Sequence, residues 1–246
     1  MFNYQIIIEY DGTNFVGWQK QKNGASVQQA IERIIIKILK EKIKLYGSGR
    51  TDSGVHAIAQ SANFILKSKI NNEFLFLNSV NFFLNKKKIS ILKINEKKRT
   101  FHARFSAKKR EYMYIIINRI APLSLESNKA WHIRSNLDFK LMRKAANILK
   151  GTKDFSTFRS STCSAKTPIK TLEESKIKKV GDKIIIIFRS KSFLQQQVRS
   201  MVGCLKFVGE KKWSLKKFKE VLSSKKKTDC APPAPPCGLY LNRIKY

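Results

Sequence analysis

The chain has 246 residues, 42% of them hydrophobic and 11% aromatic, enough to bury a sizeable core as one large domain or two small ones. That composition excludes global disorder, and no apolar run approaches the roughly 20 residues a membrane helix needs. Lys and Arg number 50 against 17 Asp and Glu, a net charge of +33; the functional reading is a polyanion partner, because each phosphate met by Lys or Arg releases counterions, and the bland one is compositional drift in a Lys-, Ile-, Asn- and Phe-rich chain.

In chain order, the N-terminus MFNYQIIIEYDG lacks the basic start, long apolar stretch and small-residue cleavage site of a signal peptide. Residues 4–10 read as a strand ended by the Asp11-Gly12 turn signal. Ser26 opens a helix, with Gln29 completing a capping-box pattern. Val27, Ala30, Ile31, Ile34, Ile35, Ile38 and Leu39 follow the spacing of a buried helical face. Strands follow at 43–46 and 58–66, a helix at 72–84 and a strand at 89–95. The second half repeats the mixture: a strand at 110–118, a helix at 138–150 stopped by Gly151, and strands at 172–180 and 183–190 across a Gly181-Asp182 turn. Helices at 193–208 and 214–223 precede a last strand at 239–245. Residues 158–168, polar and rich in breakers, read as a long surface loop, and CAPPAPPCG at 230–238 as an extended proline-rich segment. Two comparable strand–helix sets suggest two α+β subdomains, 1–106 and 107–246. The four cysteines, Cys163, Cys204, Cys230 and Cys237, show no C-x-x-C spacing and read as reduced thiols, which favours a cytoplasmic protein.

Three short stretches carry the chemistry. In GSGRTDSGVHA (47–57) a dinucleotide fingerprint would need glycine where Asp52 stands, and the G-K-[ST] of a Walker loop is absent. His56 finds no partner at metal-ligand spacing in His102 or His132. What remains is an aspartate in a glycine-flexed loop, with Arg50 two residues earlier. Read alone, Asp52 is better explained as a turn residue bonding its own backbone, and Arg50 as a surface charge. FHARFSAKKREYMYIIIN (101–118) interleaves aromatic and basic residues, a pattern that stacks bases and holds phosphates; strand packing is the competing reading for Tyr112 and Tyr114. SFLQQQVRSMVGCL (192–205) reads as an amphipathic helix burying Phe193, Leu194, Val198, Met201, Val202 and Leu205. Arg199 lies beside that set as either a snorkelling stem or the partner of a carboxylate, and Gly203 permits close backbone approach.

Taken together with EYDGTNFVGWQKQ (9–21), SVQQAIE (26–32), DFSTFR (154–159) and APPAPPCGLYL (231–241), these stretches resemble the pseudouridine synthases, in particular the TruA-like family that modifies the anticodon arm of transfer RNA. The resemblance runs from end to end, and GRTDSGVHA is its most specific block. It implies two RRM-like or ferredoxin-like α+β subdomains with their sheets joined across a central basic cleft, acting as a homodimer on tRNA. It also implies conversion of uridine to its C-glycoside isomer with no cofactor and no catalytic metal. Asp52 matches the catalytic aspartate, which attacks the base or the sugar or removes a sugar proton; the residues do not choose among these routes. Tyr112 matches the tyrosine that stacks on the target base, Arg199 the cation paired with the aspartate, and Arg50 the arginine that fills the gap when the uridine swings out. Leu239 is implied as part of the apolar floor beneath the base. Two departures are small: QQQVRS carries glutamine and serine where relatives often have histidine and asparagine, and Cys237 stands at a variable position. The implied targets are uridines on the 3′ side of the anticodon loop and in the adjoining stem. From a different class, charge and aromatics alone would also fit a non-catalytic RNA-binding module or chaperone.

Overall fold

The computed structural model describes Met1–Tyr246 and divides into two compact units, Met1–Lys108 with Tyr240–Tyr246, and Lys109–Leu239. Both are α+β. In the first, β1 (Phe2–Tyr10) pairs antiparallel with β3 (His56–Leu66) and with β4 (Ile89–Lys97), and the short β2 (Tyr46–Gly47) pairs with β3. The sheet order β4-β1-β3-β2, with α1 (Val27–Leu39) after β1 and α2 (Glu73–Leu84) after β3, is the ferredoxin-like winding. Tyr4, Ile6, Ile8 and Tyr10 alternate along one face of β1 and are buried. Its other face carries Asn3 and Gln5, also buried and satisfied: Asn63 donates to Asn3 at 2.9 Å and Gln5 to Ser61 at 2.8 Å. The basic segment after β4 covers this polar face, its Ala103 N–H donating to Asn63 at 2.8 Å. Helix α1 begins where the capping pattern places it, with Ser26 Oγ accepting from the Gln29 N–H.

The second unit has sheet order β5-β9-β8-β7, from β5 (Lys109–Asn118), β7 (Gly151–Asp154), β8 (Ile169–Val180) and β9 (Lys183–Ser190), all antiparallel. The short β6 (Trp131–Ile133) runs parallel to β5. In β9, Ile184, Ile186, Phe188 and Ser190 are buried in strict alternation, the period-two signature of a strand with one core face. Helix α3 (Phe139–Ile148) lies against β8 and packs with α4 (Gln197–Gly209) and α5 (Leu215–Ser224).

Some boundaries differ from the sequence reading. Residues 193–196 are not helical: Gln196 has φ of 62°, and Gln197 Oε1 accepts from the Leu194 N–H at 2.8 Å, so α4 starts late behind a side-chain clamp. Gly151 ends no helix directly but opens β7 at φ of 95°. β10 (Leu239–Lys245) runs parallel to β3 through Tyr240 and Leu241, which pair with His56 and Ala57. The sequence reading keeps that strand with the C-terminal half; a pairing between distant parts of a chain leaves no local pattern. No helix is long and apolar enough to cross a membrane.

Candidate active site

In the first unit, Asp52 lies in the connection between β2 and β3. The Val55 N–H donates to the Asp52 carbonyl at 3.2 Å, closing a turn whose third residue, Gly54, has φ of 75°. That turn is fixed from three sides. The Trp18 N–H donates to the Thr51 carbonyl at 3.1 Å, while the Gly17 and Trp18 carbonyls accept the first N–H groups of α1, from Val27 and Gln28. Tyr10 Oη and Thr51 Oγ1 are 2.8 Å apart, and the Gly54 N–H donates to the Phe15 carbonyl at 3.3 Å.

Glycines let these backbones meet. A Cβ on Gly12 would stand 2.0 Å from the Val55 carbonyl oxygen, one on Gly17 2.6 Å from that of Thr51, and one on Gly47 2.3 Å from the Trp18 indole nitrogen. Three polar side chains, half-buried Gln28 and Glu32 and buried Gln60, then hold the entry to the loop. Gln28 Nε2 donates to the Leu45 carbonyl at 3.0 Å and Glu32 Oε1 accepts the Leu45 N–H at 2.9 Å. Gln60 Nε2 donates to the Gly49 carbonyl at 2.8 Å, and its Oε1 accepts from Ser48 Oγ at 3.0 Å. Sequence reasoning missed Gln28, Glu32 and Gln60; the only signal was two polar residues one turn apart on an otherwise apolar helical face.

On this frame Asp52 is half-buried and Arg50 exposed, two residues apart on one loop. His56, weighed as a metal ligand, serves the fold instead: it is buried, its Nδ1 accepts the Gly12 N–H at 3.0 Å, and its ring stacks on Tyr240 at 4.8 Å. Beside β2 runs an aromatic and basic row: Tyr46 to His102 at 5.1 Å, His102 to Phe105 at 4.5 Å, with Lys44 over Tyr46 and Arg104 over Phe105. Phe105 is 76% exposed.

In the second unit, Tyr112 on β5 is 8% exposed and its ring stands edge-on to Phe193 at 5.2 Å and 89°. Tyr114, two residues along, belongs to the core: it is fully buried, its hydroxyl donates to the Pro235 carbonyl at 2.8 Å, and burial drives its phenol far above the ordinary range. Arg199, in the first turn of α4, is gripped by the proline-rich segment. Its Nε donates to the Ala234 carbonyl at 2.7 Å, and the Ala234 N–H returns a bond to the Arg199 carbonyl at 2.9 Å. A Cβ on Gly203 would lie 2.1 Å from the Pro232 carbonyl oxygen, so glycine there admits that segment against the helix. The Nε bond orients the guanidinium and the backbone bond holds the proline-rich segment against the helix, neither of which a snorkelling stem would need. Leu239 is buried at the start of β10.

A half-buried carboxylate on a braced turn of an α+β scaffold, beside a row of aromatic and basic side chains, suits an enzyme that modifies a nucleotide. A family model described as tRNA pseudouridine synthase matches residues 6–106 and 145–246. Curated relatives of that kind align from end to end. The "tRNA pseudouridine synthase A" of Pelagibacter ubique is 56% identical over 100% of both chains. Those of Parvibaculum lavamentivorans and Rhodospirillum centenum are 44% and 41% identical, again over 100% of both chains. The chain belongs to the tRNA pseudouridine synthase family and is an isomerase acting on uridine in tRNA.

Proposed function

We propose that this chain isomerises uridines on the 3′ side of the tRNA anticodon loop and in the adjoining stem, with Asp52 starting the reaction on a nucleotide swung out of its stack. The reaction breaks N1–C1′, rotates the base and joins C5 to C1′; the C5 proton leaves and N1 gains one. A carboxylate serves as nucleophile at the sugar or base, or as the base that takes a sugar proton. Arg199 supplies the positive charge that partners that carboxylate. Tyr112, held edge-on by Phe193, stacks on the uracil and assists removal of the C5 proton. Arg50 enters the space the uridine vacates, offsetting an extrusion cost of a few kcal/mol. Leu239 lies beneath the base. The enzyme works in the cytoplasm as a homodimer gripping one tRNA through a basic cleft.

The observation that supports this reading most is the convergence of three separate sequence blocks on the backbone around Asp52. Gly12, Gly17 and Trp18 come from one, Gln28 and Glu32 from the next, and Gly47 to Val55 from the third. A protein that only binds RNA has no need of a braced anion facing a polyanion.

The test uses tRNA labelled with tritium at uridine C5, from which isomerisation releases tritium to water. Asp52→Asn is expected to lower release at least about a thousandfold while leaving tRNA affinity nearly unchanged. Release by Asp52→Asn at the wild-type rate overturns the role of Asp52. Wild-type protein that binds tRNA and releases nothing is instead a non-catalytic RNA-binding module. Deuterium at C2′ separates the routes, because only proton removal from the sugar gives a primary isotope effect.

A further inference from the structure

The second unit holds a nucleophilic cluster that isomerisation does not use. Cys204 on α4 and Cys230, which follows the 3₁₀ turn Lys227–Asp229, have their sulfur atoms 3.6 Å apart. Cys204 is fully buried, whereas Cys230 is half-exposed. Polar groups converge on the outer sulfur. Lys227 Nζ donates to Ser200 Oγ at 3.0 Å, and the Ser200 hydroxyl in turn donates to Cys230.

The two thiols are thereby driven apart. The hydrogen bond from Cys204, with the Lys227 charge and the Ser200 bond, holds Cys230 below the ordinary thiol value despite its burial. Cys204 is held far above that value by the same hydrogen bond and by burial, and so stays protonated. The other two cysteines have no sulfur partner. Cys237 donates to the Ala130 carbonyl at 3.5 Å and is pushed up by burial, and Cys163 sits in the loop between β7 and β8.

We propose that Cys230 and Cys204 form a peroxide-reactive dithiol, a reversible modification site whose oxidant is hydrogen peroxide. The Cys230 thiolate attacks one peroxide oxygen; the O–O bond breaks, the leaving hydroxide takes a proton to become water, and Cys230 becomes a sulfenic acid. Cys204 then attacks the Cys230 sulfur. Its thiol proton departs with the displaced hydroxide as a second water, and the S–S bond forms. The two thiols lose two electrons and the peroxide gains them. Closing the bond shortens 3.6 Å to about 2.05 Å, a movement of about 1.5 Å. The product would tie α4, one turn beyond Arg199, to the segment whose Ala234 carbonyl holds that arginine. An absent C-x-x-C spacing therefore does not mean an absent thiol pair.

The experiment treats the full-length protein with hydrogen peroxide and follows free thiols, intact mass and peptide maps. Two of the four thiols are expected to disappear with a mass loss of about 2 Da. A single Cys204–Cys230 peptide is expected, and dithiothreitol should restore both thiols. Cys230→Ser should slow thiol loss at least about tenfold. Cys204→Ala should accumulate a sulfenic acid at Cys230 that dimedone traps. If that variant does not fold, dimedone competing in the wild-type protein supplies the same readout, labelling Cys230 and blocking the disulfide. Equal reactivity at Cys163 or Cys237, or oxidation of Cys230 without the linked peptide, overturns the proposal.

Discussion

Asp52 and Arg199 are presented by opposite constructions. Asp52 sits on a turn, and its position comes from neighbours that have given up their side chains: Gly12, Gly17 and Gly47 stand where any Cβ would strike a backbone oxygen or the Trp18 ring. Arg199 sits on a helix, and its position comes from an inflexible segment of prolines laid along that helix, with one glycine, Gly203, at the contact. A loop has few internal hydrogen bonds, so its geometry must be imposed by close-packed backbone from elsewhere. A helix is already rigid, so only the long side chain needs fixing, and one carbonyl does that. Motifs that look unrelated in sequence are therefore parts of one device in the first unit, whereas in the second unit a single reciprocal hydrogen-bond pair suffices.

The sharpest way to break this comparison is to delete the charge that the helix presents. Arg199→Met keeps the stem and its packing, so the fold should survive while tritium release falls about a thousandfold. Release within about threefold of wild type would reduce Arg199 to a packing residue. The other end of α4 offers a test of how the helix itself is anchored. Glu210, just past that end, is bonded by Lys206 at 2.7 Å, Ser135 at 2.7 Å and Lys212 at 2.9 Å. Burial raises its pKa, but these bonds outweigh it and hold the carboxyl at about 2. A carboxyl depressed in the folded state stabilises fully above its ordinary value near 4.3, and that contribution disappears as pH falls to about 2. Glu210→Gln should therefore cost up to about 3 kcal/mol at pH 7 and almost nothing near pH 2, read from urea unfolding at each pH. An equal cost at both pH values would show that the carboxyl's charge is immaterial.

A smaller effect distinguishes the two constructions directly. Gly12→Ala places a Cβ 2.0 Å from the Val55 oxygen, and Gly203→Ala places one 2.1 Å from the Pro232 oxygen. Each should reduce turnover between about tenfold and a hundredfold by shifting a braced backbone. In combination with Arg199→Met, Gly203→Ala should add nothing further, because the group it misplaces is gone, while Gly12→Ala should add its full effect. Equal additivity for both would mean that Gly203 matters for the fold rather than for the arginine.

Much of the scaffold was legible because its signals are local. Ser26 with Gln29 announces α1, and the Gly181-Asp182 turn signal before the apolar run 184–188 announces the β8–β9 hairpin. The late start of α4 was hidden, since Gln196 in a left-handed conformation and the Gln197 clamp look in sequence like ordinary helical glutamines. The candidate site divides the same way. The residue types of GRTDSG indicated a flexed loop around one carboxylate, but nothing in them names Trp18, Gln28 or Glu32 as its supports. Those contacts join separated segments, and a pattern read along the chain carries no trace of them. Cys204 and Cys230 were invisible for that reason too.

The aromatic row of the first unit gives the mildest expectation and refines the comparison further. FHARFSAKK was legible as a basic, aromatic-interleaved stretch, but its aromatics divide in the fold. Phe101 packs on Tyr246 at 4.9 Å, while Phe105 stands exposed with Arg104 over its ring. An exposed phenyl beside cations is a platform for an unpaired base, each such stack contributing about 1–3 kcal/mol. The Phe105 ring meets His102 and Arg104, neither of them assigned to the chemistry, so its loss should appear in binding alone. Phe105→Ala should weaken tRNA binding about tenfold, leave turnover at saturating tRNA unchanged, and leave the steep salt dependence of binding intact, because no phosphate contact is removed. Arg104→Ala should instead make that salt dependence shallower by about one unit of slope. If Phe105→Ala lowers saturated turnover instead, the row belongs to the reacting centre and not to the grip on RNA.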